Sequence, residues 1–114
     1  MRTHYDKLIR DRVPSIMDDA GVRYGVQRLD DVDYRAALRA KLVEEATEAA
    51  RTTDRDSLLQ ELADLSEVMR YLASAEAIRH DEIEAERLER ERTRGAFQER
   101  LRLLWTEPGE TGDP

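Results

Sequence analysis

Two acidic pairs between residues 41 and 64 constrain this chain more than any other feature. Glu45 and Glu48 are three residues apart, Glu61 and Asp64 are also three apart, and twelve residues separate the two pairs. On an α-helix a three-residue step places both side chains on one face. The pattern therefore predicts two helices, each presenting a pair of carboxylates on one side.

The residues between the pairs predict a sharp reversal of the chain. Residues 52–56 are Thr-Thr-Asp-Arg-Asp, a cluster of residue types that end one helix and begin the next, with Thr53 or Asp54 as the expected N-cap. A fold point near residue 54 or 55 makes the two pairs nearly equidistant from the bend. An antiparallel helical hairpin would thus bring all four carboxylates to similar heights.

The apolar residues of both helices show where the acids point. At about 100° per residue, one stripe consists of Tyr34, Leu38, Leu42, Ala46 and Ala49, and the other of Leu58, Leu62, Leu65, Val68, Met69 and Leu72. Glu45 and Glu61 fall inside these stripes, whereas Glu48 and Asp64 fall at their edges. Each helix is therefore expected to turn one carboxylate toward the core and one toward its margin.

Four converging carboxylates would repel one another, and burying an ionised carboxylate without a partner costs several kcal/mol. A cation among them removes both penalties. Oxygen ligands of this kind suit Mg²⁺, with Mn²⁺ as a possible substitute, rather than zinc. The alternative is four solvated acids on outer helix faces, which the position of Glu45 and Glu61 within the stripes disfavours.

The remaining segments predict a mainly all-α fold with one short β element. A short helix is expected to begin near Pro14 and to end at Gly21, because these residue types favour helix starts and ends. Three longer helices are predicted over residues 33–52, 56–76 and 81–94. Residues 22–29 and 101–105 are predicted as two short strands that could pair with each other. We expect one domain over residues 1–106 and a disordered tail over 107–114.

Composition limits the function classes. The net charge of −7 argues against nucleic acid as the main partner, and the absence of cysteine excludes disulfides and thiol chemistry. No stretch approaches the roughly 20 apolar residues of a membrane span, so we expect no membrane partner, no signal peptide and a cytoplasmic location. A two-helix hairpin cannot cover both its faces, which predicts a homodimer or homotetramer with a four-helix bundle.

Three segments together resemble a known superfamily. They are the opening Lys-Leu-Ile-Arg-Asp-Arg-Val-Pro of residues 7–14, the acidic pattern of residues 41–64, and Arg-Gly-Ala-Phe of residues 94–97. They are similar to the all-α nucleoside triphosphate pyrophosphatase (MazG-like) superfamily, and more narrowly to its small house-cleaning branch related to phosphoribosyl-ATP pyrophosphohydrolase. The resemblance spans about residues 5–104. Ala96 departs from it, since the family often has a second glycine there.

The resemblance implies Mg²⁺-dependent hydrolysis of a nucleoside triphosphate to the monophosphate and pyrophosphate, with modified or surplus nucleotides as substrates. It implies that Glu45, Glu48, Glu61 and Asp64 hold the metal. Two alternatives stay open: phosphoribosyl-ATP pyrophosphohydrolase of histidine biosynthesis, which the acidic pattern suits equally well, and a non-catalytic nucleotide-binding helical module.

Other charged residues are candidates for catalysis or for phosphate binding, each with a plainer alternative. Lys41 could reach a phosphate or form ion pairs with its neighbours one turn away, and Glu44 could be a general base or a surface charge. The candidates for binding the triphosphate are Lys7, Arg10, Arg12 and Arg94, for which the alternatives are a solvated basic patch or, at residue 94, a favourable interaction with a helix C-terminus.

Overall fold

Four α-helices make up the regular structure of residues 1–109, which are the residues that the computed structural model describes. In chain order they are α1 (Val13–Asp19), α2 (Asp31–Arg51), α3 (Arg55–Ala75) and α4 (His80–Arg94). The predicted all-α class is confirmed. None of the helices in this part of the chain is long and apolar enough to cross a membrane.

Two aspartates cap the N-terminal ends of α2 and α3, the helices that form the central hairpin. Asp30 caps α2 by accepting a hydrogen bond from the backbone N–H of Asp33 at 2.8 Å. Asp54 caps α3 in the same way, since its carboxylate accepts both the N–H and the hydroxyl of Ser57 at 2.8 Å. Only three residues connect α2 to α3, so the helices run antiparallel in mutual contact. The reversal therefore lies at the predicted place, and Asp54 is the cap.

The interior of this hairpin is small. Leu38 is the one fully buried apolar side chain among the described residues, at 2% exposure, and Glu45, two turns further along α2, is the one buried acid, at 9%. Leu65, Val68 and Leu72 of α3 are half-buried beside them. The face of α2 that packs against α3 thus also carries a carboxylate.

The predicted two-stranded β element is wrong, because residues 1–109 contain no strand. Residues 22–29 and 101–105 run without regular structure, and the apolar members of the first segment, Val22, Tyr24 and Val26, are exposed. A lone two-stranded ladder is marginal in water, and it needs a core against which one face can be buried. Alternation of apolar and polar residues over so short a segment did not supply that core.

The chain divides into two compact units, residues 1–80 and the chain from residue 81 onward. In the second unit α4 is lined with ion pairs one turn apart, formed by Arg87 with Glu84 and Glu91, Arg90 with Glu86, and Arg92 with Glu89. Exposed pairs at this spacing stabilise a helix by a few tenths of a kcal/mol each. They account for the many arginines of this helix, which ends at Arg94 before Gly95 with its positive φ, as predicted.

The single domain over residues 1–106 stays a prediction. The predicted disordered tail falls largely on residues 110–114, which lie outside the described residues.

The smallness of the core generates a prediction. Leu38→Ala should lower the free energy of unfolding by about 2–4 kcal/mol, because it deletes the best-buried apolar group and leaves a cavity. Urea unfolding followed by circular dichroism measures the change. Val43→Ala, on the same helix at 65% exposure, is the control and should stay within about 0.5 kcal/mol of the parent. Equal effects of the two substitutions would contradict the placement of the core.

Candidate metal centre

Three of the four predicted acids converge where α2 faces α3. Glu45 of α2 and Glu61 and Asp64 of α3 each offer a carboxylate oxygen, and these oxygens lie within 4.8 Å of one another. Glu45 is buried and the other two are half-buried. Helical spacing explains the arrangement, because the two α3 residues are one turn apart on the face that meets α2. The hairpin therefore brings three carboxylates together at a site that is partly buried from solvent.

Glu61 is electrostatically the least satisfied member of the cluster. Its Oε2 is buried and has no hydrogen-bond partner. Burial raises the pKa of this carboxyl, and so do its hydrogen bond with Glu45 and the negative charges of Glu45, Asp64 and Glu48. Such a group gains by taking up a proton or by lying next to a cation. Coordination of a cation would satisfy this buried carboxylate oxygen, which has no donor.

Glu48, the fourth predicted ligand, lies outside the three converging oxygens. Its side chain is exposed, as expected of a residue at the edge of the stripe, although its charge still acts on the pKa of Glu61. The structure thus brings three acids together and leaves Glu48 beside them.

Basic residues from two directions neutralise part of this negative charge. Lys41 Nζ lies 3.3 Å from Glu44 Oε1 and 3.5 Å from Glu45 Oε1, one helical turn along α2. Lys7 Nζ, from the segment before α1, lies 4.0 Å from Glu44. The pairs of Lys41 match the plainer alternative weighed for that residue, namely ion pairing with its neighbours one turn away, and both lysines lie next to the three acids.

Arg10 connects the N-terminal segment, which is residues 1–12 before α1, to α3. Its guanidinium donates to Asp64 Oδ1 at 2.8 Å and lies 3.6 Å from Glu67 Oε2. The hydrogen bond to Asp64 and the charges of both acids raise the pKa of Arg10, so it stays protonated throughout the physiological range. The segment predicted to carry phosphate-binding cations therefore does lie over the acidic hairpin.

A cavity of about 630 Å³ opens between the N-terminal segment and the hairpin. Its charged lining residues are Lys7, Arg10, Asp11, Arg12, Lys41, Glu45, Asp64 and Glu67. Its apolar and aromatic lining residues are Leu8, Ile9, Val13, Tyr34, Leu38, Val68 and Tyr71. The volume falls within the range of small-molecule sites, which combine apolar walls with a few placed charges.

Two residues of this cavity were missed by the sequence analysis. Glu67 follows Asp64 by three residues and Tyr71 follows it by seven, so both share its helix face and could have been found by that spacing. Tyr34 of the apolar stripe also lines the cavity, whereas the Tyr5 ring lies against the Lys7 ammonium, with its centroid 5.2 Å away. Arg94 belongs to the second unit, and its role in binding stays a prediction.

The oxygen-only donor set fits a hard divalent cation. Mg²⁺ binds oxygens at about 2.0–2.1 Å, so the oxygens bound to one ion lie roughly 3–4 Å apart. Three oxygens within 4.8 Å of one another could converge on one ion after side-chain rotation. The orphaned oxygen of Glu61 is the second feature that fits such an ion, since coordination would satisfy it.

Comparisons with known proteins supply no function. No family model matches the chain, and no solved structure matches it. A protein of Mycolicibacterium smegmatis, itself uncharacterized, is 39% identical over 54 residues, which are 47% of this chain and 55% of that protein. The chain thus spans about half the length of this relative, and the case for a function depends on the site itself.

The raised pKa of Glu61 generates a prediction about stability. A carboxyl whose pKa is higher in the folded than in the unfolded state holds its proton more tightly when folded, so stability falls as pH rises from the unfolded pKa to the folded pKa. Near neutral pH, Glu61→Gln should therefore raise the thermal midpoint of the metal-free protein. The same substitution should abolish the stabilisation that added Mn²⁺ gives the parent. Differential scanning fluorimetry in chelator and in Mn²⁺ measures both.

Asp56→Asn is the control for that experiment, because Asp56 lies on the same helix and is almost fully exposed. It should leave the midpoint in chelator and the response to Mn²⁺ nearly unchanged. A lower midpoint for Glu61→Gln in chelator would contradict the account of Glu61 as a half-buried acid that destabilises the metal-free protein.

Proposed function

We propose that this protein is a Mg²⁺-dependent nucleoside triphosphate pyrophosphohydrolase that acts on modified or surplus nucleotides. The observation that carries the proposal is the convergence of Glu45, Glu61 and Asp64, of which Glu45 and Asp64 line a cavity together with four basic side chains, Lys7, Arg10, Arg12 and Lys41. Carboxylates for a divalent cation and cations for phosphate oxygens are the two requirements of phosphoanhydride hydrolysis. The resemblance of residues 7–14 and 41–64 to the MazG-like superfamily supports the same reaction.

The three acids would hold the ion, with the exposed Glu48 close enough to join them. A bound Mg²⁺ supplies positive charge to phosphate oxygens and lowers the pKa of a coordinated water. In the reaction a water oxygen bonds to the α phosphorus, and the bond from that phosphorus to the bridging oxygen breaks. Pyrophosphate leaves with the electron pair, and the water proton passes to a base.

The residues around the acids suit the remaining tasks. Glu44 is a half-buried carboxylate beside the cluster, and it is the candidate base that accepts the water proton. Lys41, Lys7 and Arg10 lie within 4.0 Å of acids at the site, so short side-chain movements would carry them to the phosphates. Arg12 lines the same cavity. The aromatic wall with Tyr34 and Tyr71 is the surface available to a base.

The activity is tested with a panel of modified and ordinary (deoxy)nucleoside triphosphates in Mg²⁺ or Mn²⁺ and a pyrophosphate readout. At least one should be hydrolysed, with chelator abolishing turnover. Glu45→Gln should reduce kcat by at least about 100-fold, because it removes a ligand from the point where charge must be stabilised. Asp56→Asn should retain full activity. Binding of nucleotides without turnover of any of them would favour the non-catalytic module, and release of pyrophosphate from phosphoribosyl-ATP alone would favour the histidine-pathway alternative.

We also propose that the protein is a homo-oligomer, dimeric or tetrameric, joined through α3. Leu58, Leu62, Leu65, Met69 and Leu72 recur at alternating steps of four and three residues, the spacing of helices that pack along a seam. Leu62 and Met69 are about half exposed within one chain. An apolar stripe left open in this way marks an interaction surface, and a second hairpin would complete a four-helix bundle.

Light scattering coupled to size exclusion tests this association. The parent should have the mass of two or four chains at micromolar concentration, and Leu62→Glu should reduce it to one, because it places a charge in the seam. Val43→Glu, at an exposed apolar position of α2, is the matched control and should keep the parent mass. A monomeric parent would contradict the proposal.

A further inference from the structure

The acids that would hold a metal already have cations as partners. Asp64 accepts a hydrogen bond from Arg10 at 2.8 Å, and Arg10 is also 3.6 Å from Glu67. A guanidinium that bridges two carboxylates on one helix face is a fixed positive charge beside Asp64. A divalent ion bound to Asp64 would therefore either be repelled by the Arg10 guanidinium or have to displace it, which costs the free energy of the ion pair.

Glu45 likewise has a cation as its partner, namely Lys41. Lys41 Nζ is 3.5 Å from Glu45 Oε1, and the side chains of Lys41 and Glu45 are only 17% and 12% exposed. Charges this far removed from water interact more strongly than surface pairs do. Of the three converging acids, Glu61 is the one with a buried oxygen that has no hydrogen-bond partner.

Resting on the proposed function, we propose that Arg10 and Lys41 act as internal counter-ions that oppose binding of a free divalent cation and favour binding of a cation–polyphosphate complex. In the free protein they neutralise Asp64 and Glu45. When a polyphosphate arrives with its metal, the phosphate oxygens become the partners of Arg10 and Lys41, and the carboxylates are released to the metal. The ligand class selected by this site is the complex rather than the ion.

The same exchange makes the two ligands cooperative. A polyphosphate that draws Arg10 away from Asp64 raises the affinity of the site for metal, and by linkage the metal raises the affinity for polyphosphate by the same factor. A basic residue that served phosphate alone would leave the binding of metal alone unaltered. The counter-ion role therefore has a distinguishing mark: removing the residue changes the two affinities in opposite directions.

Isothermal titration calorimetry of the full chain tests this with two probes, Mn²⁺ alone and a preformed complex of Mn²⁺ with inorganic pyrophosphate. Arg10→Gln should bind Mn²⁺ alone about fivefold more tightly than the parent, since it loses an exposed ion pair to Asp64. It should bind the complex about fivefold more weakly. Lys41→Gln should shift both affinities in the same directions. Arg10→Lys, which keeps the charge but loses the two-pronged donor, should lie between the parent and Arg10→Gln.

Arg35→Gln is the matched control. Arg35 also lies on the hairpin, but it pairs with Glu76 at 3.5 Å, away from the three acids. Its loss changes the net charge equally and should leave both affinities within about twofold of the parent. If Arg35→Gln tightens Mn²⁺ binding as much as Arg10→Gln does, the effect is one of overall charge and the inference is overturned. Circular dichroism confirms that each variant is folded.

The outcomes separate this inference from the proposed function. If Glu45→Gln abolishes Mn²⁺ binding while Arg10→Gln leaves it unchanged or weaker, the metal centre stands and the counter-ion role falls. If Arg10→Gln shifts the two affinities in opposite directions but no triphosphate is hydrolysed, the counter-ion role stands and the proposed activity falls. Unchanged Mn²⁺ binding in Glu45→Gln would overturn both.

Discussion

The contact between α2 and α3 places carboxylates where a protein of this size would ordinarily place leucine. Glu45 and Leu38 lie on the same face of α2, and Glu61 and Asp64 meet them from α3. Charge buried in this way is costly unless it is paired. The rest of the first unit follows from that constraint, because the lysine of α2 and the cations of the N-terminal segment lie where they can offset the charge. A divalent cation would complete what these side chains leave unsatisfied at Glu61.

The N-terminal segment has its place in the fold for an electrostatic reason. Residues 1–10 have no regular structure, yet Arg10 and Lys7 reach the acids of the hairpin, and Leu8 and Ile9 are half-buried between them. The segment forms one wall of the cavity, with the hairpin as the other. Lys7, Arg10 and Arg12 of the cavity lining come from the N-terminal segment, and Glu45, Asp64 and Glu67 come from the hairpin, which also contributes Lys41. A ligand carrying both charges, such as a metal with its phosphates, would find partners of both signs in this cavity.

Local signals made the hairpin predictable from sequence. Asp54 and its neighbours marked the reversal, and the helical period placed Glu45 and Glu61 within apolar stripes. Spacing together with this apolar context predicted the convergence of Glu45, Glu61 and Asp64, whereas Glu48, also predicted to join them, lies outside it. The β element was predicted wrongly, because alternation over residues 22–29 gives no information about whether a partner strand and a core exist. The contact of Arg10 with Asp64 spans 54 residues, and no local pattern specifies which acid a basic segment so far away in sequence will reach. Glu67 and Tyr71 are not members of the paired-acid pattern, although they follow Asp64 by three and seven residues and therefore share its helix face.

Because α2 and α3 carry carboxylates among their packing residues, relatives of this chain can be classified by the residue types at positions 45 and 61. Exchanging Glu45 and Glu61 for leucine or methionine should stabilise the hairpin, since the ion pair of Lys41 with Glu45 leaves Glu61 Oε2 without a partner. Acids retained at both positions in a relative would indicate selection for something other than stability. Aliphatic residues there would indicate a hairpin kept only as a scaffold, however similar the remaining sequence.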